Sequence, residues 1–300
     1  MNEQYSNDIR SFLDYLRFER RYSQHTVTAY ETDITSFFIY MQDQYGAPVL
    51  KEIRQTYIRS WLAGLKDKKL TARSINRKLS SLRSFFKYYL KRGAITVVPT
   101  ANLIAPKPGK RLPVFIKEDD TKKLLKTLNT ATEDWKTLNA RMIISLFYVT
   151  GMRLSELINL KENQLDKSRG QVRVLGKGNK ERIIPLNSEA FDSIDEYIKL
   201  KRKTFETPGD LLLVTEKGRK IYPKYAWLLV NKYLGEASTL SKKSPHVIRH
   251  TFATHLMNNG ASLGAVKELL GHASLAATQV YTHNTIEKLK DVYKKAHPKS

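Results

Sequence analysis

The chain has 300 residues, with 52 lysines and arginines against 29 aspartates and glutamates, a formal net charge of +23 and no cysteine. The length suits about two domains with a core each, and the missing cysteines exclude disulfides, thiolate metal sites and a cysteine nucleophile. No apolar run approaches the roughly 20 residues of a membrane span, and MNEQYSNDIRSFLDYL is amphipathic rather than signal-like, so a soluble, cytoplasmic protein without a membrane partner is expected. A folded chain tolerates this self-repulsion when it meets a polyanion, which makes nucleic acid the expected partner; basicity for solubility alone is the plainer alternative.

Residues 1–93 read as four helices. Ile9, Phe12, Leu13 and Leu16 repeat at helical spacing, as do Tyr30, Ile34, Phe37, Phe38 and Met41, then Ile58, Trp61, Leu62 and Leu65, and finally Ile75, Leu79, Leu82, Phe86 and Tyr89. Ser23 and Thr71 stand where N-caps belong. No alternating segment interrupts them, so a small helical bundle is predicted. Roughly opposite the last apolar stripe lie Arg73, Arg77, Ser80, Ser84, Lys87 and Lys91. Short hydroxyl residues among cations let a helix approach a phosphate backbone, which makes this the candidate DNA-contact face; an ordinary solvated face is the competing reading.

Residues 94–113 carry Pro99, Pro106, Pro108 and Pro113 and are expected to form an extended, semi-stiff linker. A second domain, 114–300, resumes with helices around Leu124 and Leu125 and from Met142 to Tyr148. QVRVL then alternates, GKGNK turns and ERIIPL returns, the pattern of a hairpin. A short apolar strand is predicted from Leu211 to Val214, with helices filling most of the remainder. The fold class is mainly α in two domains, the second mixed α+β with a small antiparallel sheet.

Six of the seven histidines lie from His246 onward. His246 and Arg249, in HVIRHTFATHL, are three apart and share a helix face, which suits two donors converging on one phosphate. His250, four residues from His246, raises a metal pair; no glutamate stands between them, no carboxylate ligand is obvious downstream, and Arg249 would set a cation beside the metal, so neither metal nor cofactor is expected. Arg153, in TGMRLSEL, sits at a junction between helical stretches where Glu156 can orient it, although alone it would read as a surface salt bridge. Lys177 lies in the hairpin turn, where flanking glycines allow close approach to a ligand; Lys180 and Arg182 beside it are further candidates for DNA contact. His272 stands in LLGHASL and Tyr281 nine residues later; in isolation each would read as an ordinary core or surface residue. Two arginines, two histidines and a tyrosine are the groups needed to cut a phosphodiester without a metal, because guanidinium charge can neutralise the phosphate while a phenol oxygen attacks.

TGMRLSELINL, GKGNKERIIPL, HVIRHTFATHL and LLGHASLAATQVYTH, in this order, resemble the tyrosine recombinase (phage-integrase-like) family, most closely its Xer branch. The likeness spans nearly the whole chain. It implies an N-terminal SAM-like core-binding domain and a C-terminal catalytic domain. It further implies that Arg153 and Arg249 clamp the scissile phosphate, that Tyr281 attacks to leave a 3′-phosphotyrosyl bond, and that Lys177 protonates the departing 5′ oxygen. His246 and His272 would hydrogen-bond the phosphate, one of them assisting proton transfer from Tyr281. The expected partners are double-stranded DNA, three further subunits in a tetramer on it, a related recombinase among them, and a septal DNA translocase; the expected role is chromosome dimer resolution. A mobile-element integrase, a DNA invertase, a type IB topoisomerase and a non-catalytic DNA-binding protein are the alternatives. In the tail, Ile286, Leu289, Val292 and Tyr293 make a short amphipathic helix, and the resemblance implies that it docks on a neighbouring protomer.

Overall fold

The computed structural model describes residues 3–109, 114–130, 134–176, 181–237, 243–271 and 291–298, and the chain divides into two compact units, Met1–Arg111 and Leu112–Ser300.

In the first unit α1 (Glu3–Asp14) runs into a π turn at Tyr15–Glu19, followed by α2 (Gln24–Tyr45), α3 (Gln55–Asp67) and α4 (Ala72–Lys91). The Ser23 Oγ accepts from the Thr26 N–H at 3.3 Å and the Thr71 Oγ1 from the Ser74 N–H at 3.2 Å, so both expected caps satisfy otherwise orphaned helix donors. The four apolar stripes meet in an aromatic core in which Phe12, Phe37, Phe38, Phe85 and Phe86 are fully buried. Edge-on pairs such as Phe12–Phe85, with ring centroids 5.4 Å apart, bring the positive ring edge to the negative face. The buried Asp33 is compensated by Arg77, Lys78 and Ser81, at 2.5, 3.2 and 3.0 Å. Arg77 pairs with Asp33 while half of its side chain stays exposed; Arg73, Lys87 and Lys91 are exposed as well.

Much of the proline-rich segment, expected as an extended, semi-stiff linker, packs on the bundle. Ile95 and Leu103 are buried in the bundle's own core. Arg83 donates to the Leu103 carbonyl at 2.5 Å and Asn76 Nδ2 to the Pro106 carbonyl at 2.9 Å.

In the second unit α5 (Glu118–Thr130), α6 (Trp135–Thr150) and the short α7 (Leu154–Leu157) precede an antiparallel sheet of β1 (Leu165–Asp166), β2 (Gln171–Leu175) and β3 (Glu181–Pro185). The sheet order is β1-β2-β3, with Val172 opposite Ile184 and Val174 opposite Arg182. Then come α8 (Ser188–Thr204), α9 (Pro223–Ala237), α10 (Pro245–Asn258), α11 (Leu263–Leu270) and a helical turn at 291–296. Helix α6 is buried almost all round and forms the centre of the domain. The strand expected from Leu211 to Val214 reduces to isolated bridges, Lys161 with Leu211 and Val214 with Lys220. Its residues are apolar because Leu212, Leu213 and Val214 are buried in the core, not because a ladder runs through them.

The tail turn lies on its own domain. Tyr293 and Ala296 are buried against Phe252, Leu256, Val266 and Leu269. The Tyr293 ring stacks on His297 at 4.8 Å, and the His297 Nε2 contacts the Tyr148 carbonyl at 3.1 Å. Tyr293 thus packs beside His297 and in one apolar cluster with Phe252 within the same fold; Ile286 and Leu289, the first half of the expected tail helix, lie outside the described residues. Among the described residues no helix is long and apolar enough to cross a membrane.

Candidate active site

The site is built where four helix ends meet. Helix α6 stops at Gly151, whose φ of +57° is the left-handed cap conformation. A Cβ there would sit 2.4 Å from a ring carbon of Phe252 and 2.9 Å from Leu270, so glycine is required by conformation and by space. Two residues on, Arg153 caps α7 and Glu156 closes its first turn. Helix α10 starts at Pro245, which suits a first helical position, and carries the exposed His246 one turn before the half-buried Arg249. Helix α11 ends at Gly271, φ +62°, the residue before His272.

Side chains from these ends converge. The Glu156 carboxylate is almost wholly buried and accepts four hydrogen bonds: from the Arg153 backbone N–H (2.7 Å), Arg153 Nη1 (2.8 Å), Arg182 Nη1 (2.9 Å) and Arg182 Nη2 (2.8 Å). Burial alone pushes this carboxyl up, but the bonds from Arg182 and Arg153 outweigh it and hold its pKa at about 2. The final turn of α11 offers three successive carbonyls, and each takes one arginine: Leu269 accepts from Arg182 Nε (2.9 Å), Leu270 from Arg249 Nη2 (2.8 Å) and Gly271 from Arg153 Nη2 (2.8 Å). Arg249 Nη1 also donates to the Gly151 carbonyl at 2.5 Å. Burial, with Arg153 and Arg182 close by, lowers the pKa of Arg249 to about 10, leaving it charged at neutral pH. Three guanidinium groups face one carboxylate, and a half-buried cluster with that excess is built to receive an anion.

The structure therefore brings Arg153, Glu156 and Arg249 together, with His246 on the helix face that carries Arg249. Lys177, Lys180, His272 and Tyr281 lie outside the described residues. Arg182 is corrected: its side chain is 4% exposed and grips Glu156, so it cannot be a DNA-facing cation. The signal was present in ERIIPL, because two-residue strand periodicity puts Arg182 on the face of Ile184, which is fully buried. His255 is a structural histidine, its Nδ1 paired with the Tyr148 hydroxyl (3.0 Å) and its Nε2 with the Ile116 carbonyl (2.8 Å). Among the described residues no group of three His, Asp or Glu is placed to hold a metal ion.

Comparisons with known proteins agree with this geometry. The phage integrase family matches residues 114–288, and the phage integrase N-terminal SAM-like domain matches residues 9–93. Tyrosine recombinase XerC of Chlorobaculum parvum is 34% identical over 97% of this chain and 94% of its own length. Tyrosine recombinase XerD of Oceanobacillus iheyensis is 36% identical over 97% of this chain and 98% of its own. The crystal structure of XerH site-specific recombinase bound to palindromic difH substrate, a post-cleavage complex, aligns with a TM-score of 0.73 at 24% identity, covering 91% of this chain and 80% of that one, a likeness of fold. Sequence, fold and arginine cluster together place this chain in the phage integrase family, the tyrosine recombinases that cut and rejoin DNA at specific sites.

Proposed function

We propose that this chain performs Xer-type site-specific recombination on double-stranded DNA, with Tyr281 as nucleophile. The observation that carries the reading is the pairing of Arg153 and Arg249 at one helix end, with their outer donors resting on neutral carbonyls. A scissile phosphate competes for those donors with a full negative charge, and charge-assisted bonds are about twice as strong as neutral ones. The arginines then neutralise the non-bridging oxygens as charge develops. The Tyr281 oxygen bonds to phosphorus, the bond to the 5′ oxygen breaks, and Lys177 supplies that oxygen with a proton. His246 and His272 hydrogen-bond the phosphate, and one of them takes the tyrosine proton. A phenol ordinarily ionises near pH 10, so the surrounding cations and a base must assist it. The phosphotyrosyl bond conserves the energy of the phosphodiester, and rejoining is the reverse attack by a 5′ hydroxyl.

The similarity to relatives named XerC and XerD, at 34–38% identity over most of the chain, favours chromosome dimer resolution over a mobile-element role. The working unit is then a tetramer on DNA in the cytoplasm, with a related recombinase and a septal DNA translocase as partners. The exposed Arg73, Lys87 and Lys91 of α4 supply part of the DNA contact, and Lys180 a further one.

The test is Tyr281→Phe on a nicked suicide substrate. The variant should bind DNA as the wild type does and form no SDS-resistant protein–DNA adduct. An adduct persisting at the wild-type level would assign the attack to another residue.

A further inference from the structure

We propose that Arg182 is a positioning residue of the cleavage reaction, tying the carboxylate that holds Arg153 to the end of the helix that leads into His272. The inference rests on the reading of Arg153 and Arg249 as the phosphate clamp. Arg182 sits in β3, the return strand of the hairpin whose turn carries Lys177, and spends three nitrogens on two elements: Nη1 and Nη2 on Glu156, Nε on the Leu269 carbonyl. A point-charge ammonium could not span both partners with this geometry, whereas a planar guanidinium can. Gly271 presses on the same group, since a Cβ there would meet the Arg182 stem and fork at 3.0–3.3 Å. The backbone that enters His272 is therefore shaped around this side chain.

Stability alone is a weak reason to keep such a group, because a buried ion pair is often no more stable than a well-packed apolar one. Its consequence for the clamp is specific. With Arg182 in place, the Glu156 charge is shared between two guanidiniums, and Arg153 is oriented without being neutralised. Remove the bidentate grip and Glu156 is held by Arg153 alone; the carboxylate can shift with it, and the angle at which Arg153 presents its remaining donors to the phosphate is no longer fixed.

The experiment uses the full-length chain, a nicked suicide substrate and single-turnover adduct formation. Arg182→Lys keeps the charge and loses the fork. Its half-site affinity should stay within roughly threefold of wild type, while the cleavage rate falls by roughly 30-fold or more, approaching the loss of one transition-state donor. The same pair of proteins is then compared on DNA with a methylphosphonate at the scissile position. That substrate lacks one anionic oxygen and makes less demand on the clamp, so the deficit of Arg182→Lys should shrink at least several-fold. An equal deficit on both substrates, or parallel losses of affinity and rate, would make Arg182 merely structural and overturn the proposal. If Arg182→Lys does not fold, Arg182→Gln carries the same comparison, because its amide can still donate to Glu156 while the fork that reaches the Leu269 carbonyl is lost. A wild-type chain that formed no Tyr281 adduct would instead remove the underlying reading, an outcome separate from either variant result.

Discussion

Gly151→Ala isolates how tightly the arginine clamp depends on its backbone. The residue adopts φ +57°, where a Cβ costs about 1–2 kcal/mol. The new methyl would stand 2.4 and 2.8 Å from ring carbons of Phe252 and 2.9 Å from Leu270, an overpacking that adds about 1–3 kcal/mol. The total is about 2–5 kcal/mol, a fall on the order of 10 °C in the melting temperature of a domain this size. Gly209→Ala is the control, with φ +67° in the same unit but open space around the added Cβ; it should show the conformational part alone, about 1–2 kcal/mol. Cleavage measured well below both melting temperatures should fall far more in Gly151→Ala, because the 151 carbonyl positions Arg249 and Leu270 supplies its second acceptor. The assays are thermal denaturation followed by circular dichroism and adduct formation on a suicide substrate. Equal destabilisation by the two variants, or wild-type cleavage by Gly151→Ala, would refute the reasoning.

Arg249→Ala should lower the cleavage rate by about 100- to 1,000-fold in single-turnover assays, with binding to uncleaved DNA much less affected, and EDTA should leave wild-type cleavage unchanged. The Glu156 carboxyl titrates at about 2 in the fold against 4.5 ordinarily, so its stabilisation is complete above about pH 5 and is lost as pH falls towards 2. Glu156→Gln, followed by urea denaturation across pH, should be less stable than wild type by roughly 3 kcal/mol at pH 7, and the difference should close near pH 2. The Tyr293 hydroxyl is buried without a hydrogen-bond partner among the described residues; Tyr293→Phe keeps the ring stack on His297 and should raise stability by about 1 kcal/mol in the same assay.

The four helices of the first unit were legible because each has a capped start and an uninterrupted apolar stripe, and the β2–β3 hairpin because two alternating runs flank a glycine turn. β1 was not, since two residues are too few to display a period. The Leu211–Val214 run misled because burial in irregular backbone looks the same in sequence as burial in a strand. Arg153, Glu156 and Arg249 were readable from residue type and spacing within short motifs. Their acceptors at Gly151, Leu270 and Gly271 were not, because a carbonyl oxygen leaves no mark in the residue alphabet. Arg182 stood in the same motif as the lysines expected to meet DNA, and only the strand's inward face distinguishes it. The tail's destination was hidden for another reason: amphipathicity reports an apolar face and says nothing about which surface covers it.

The three carbonyls at the end of α11 have an implication for how the site tolerates change. An acceptor made of backbone survives any substitution at Leu269 or Leu270 that keeps the helix intact, so drift in those side chains alters packing while leaving the arginines seated. Length is the vulnerable variable. Successive residues of an α-helix are rotated by about 100°, so inserting or deleting a single residue within Leu263–Leu270 would turn all three carbonyls away together. The site should therefore endure a broad substitution scan of this helix and fail abruptly at the first frame-preserving indel, the reverse of what a constellation held by side-chain acceptors would show.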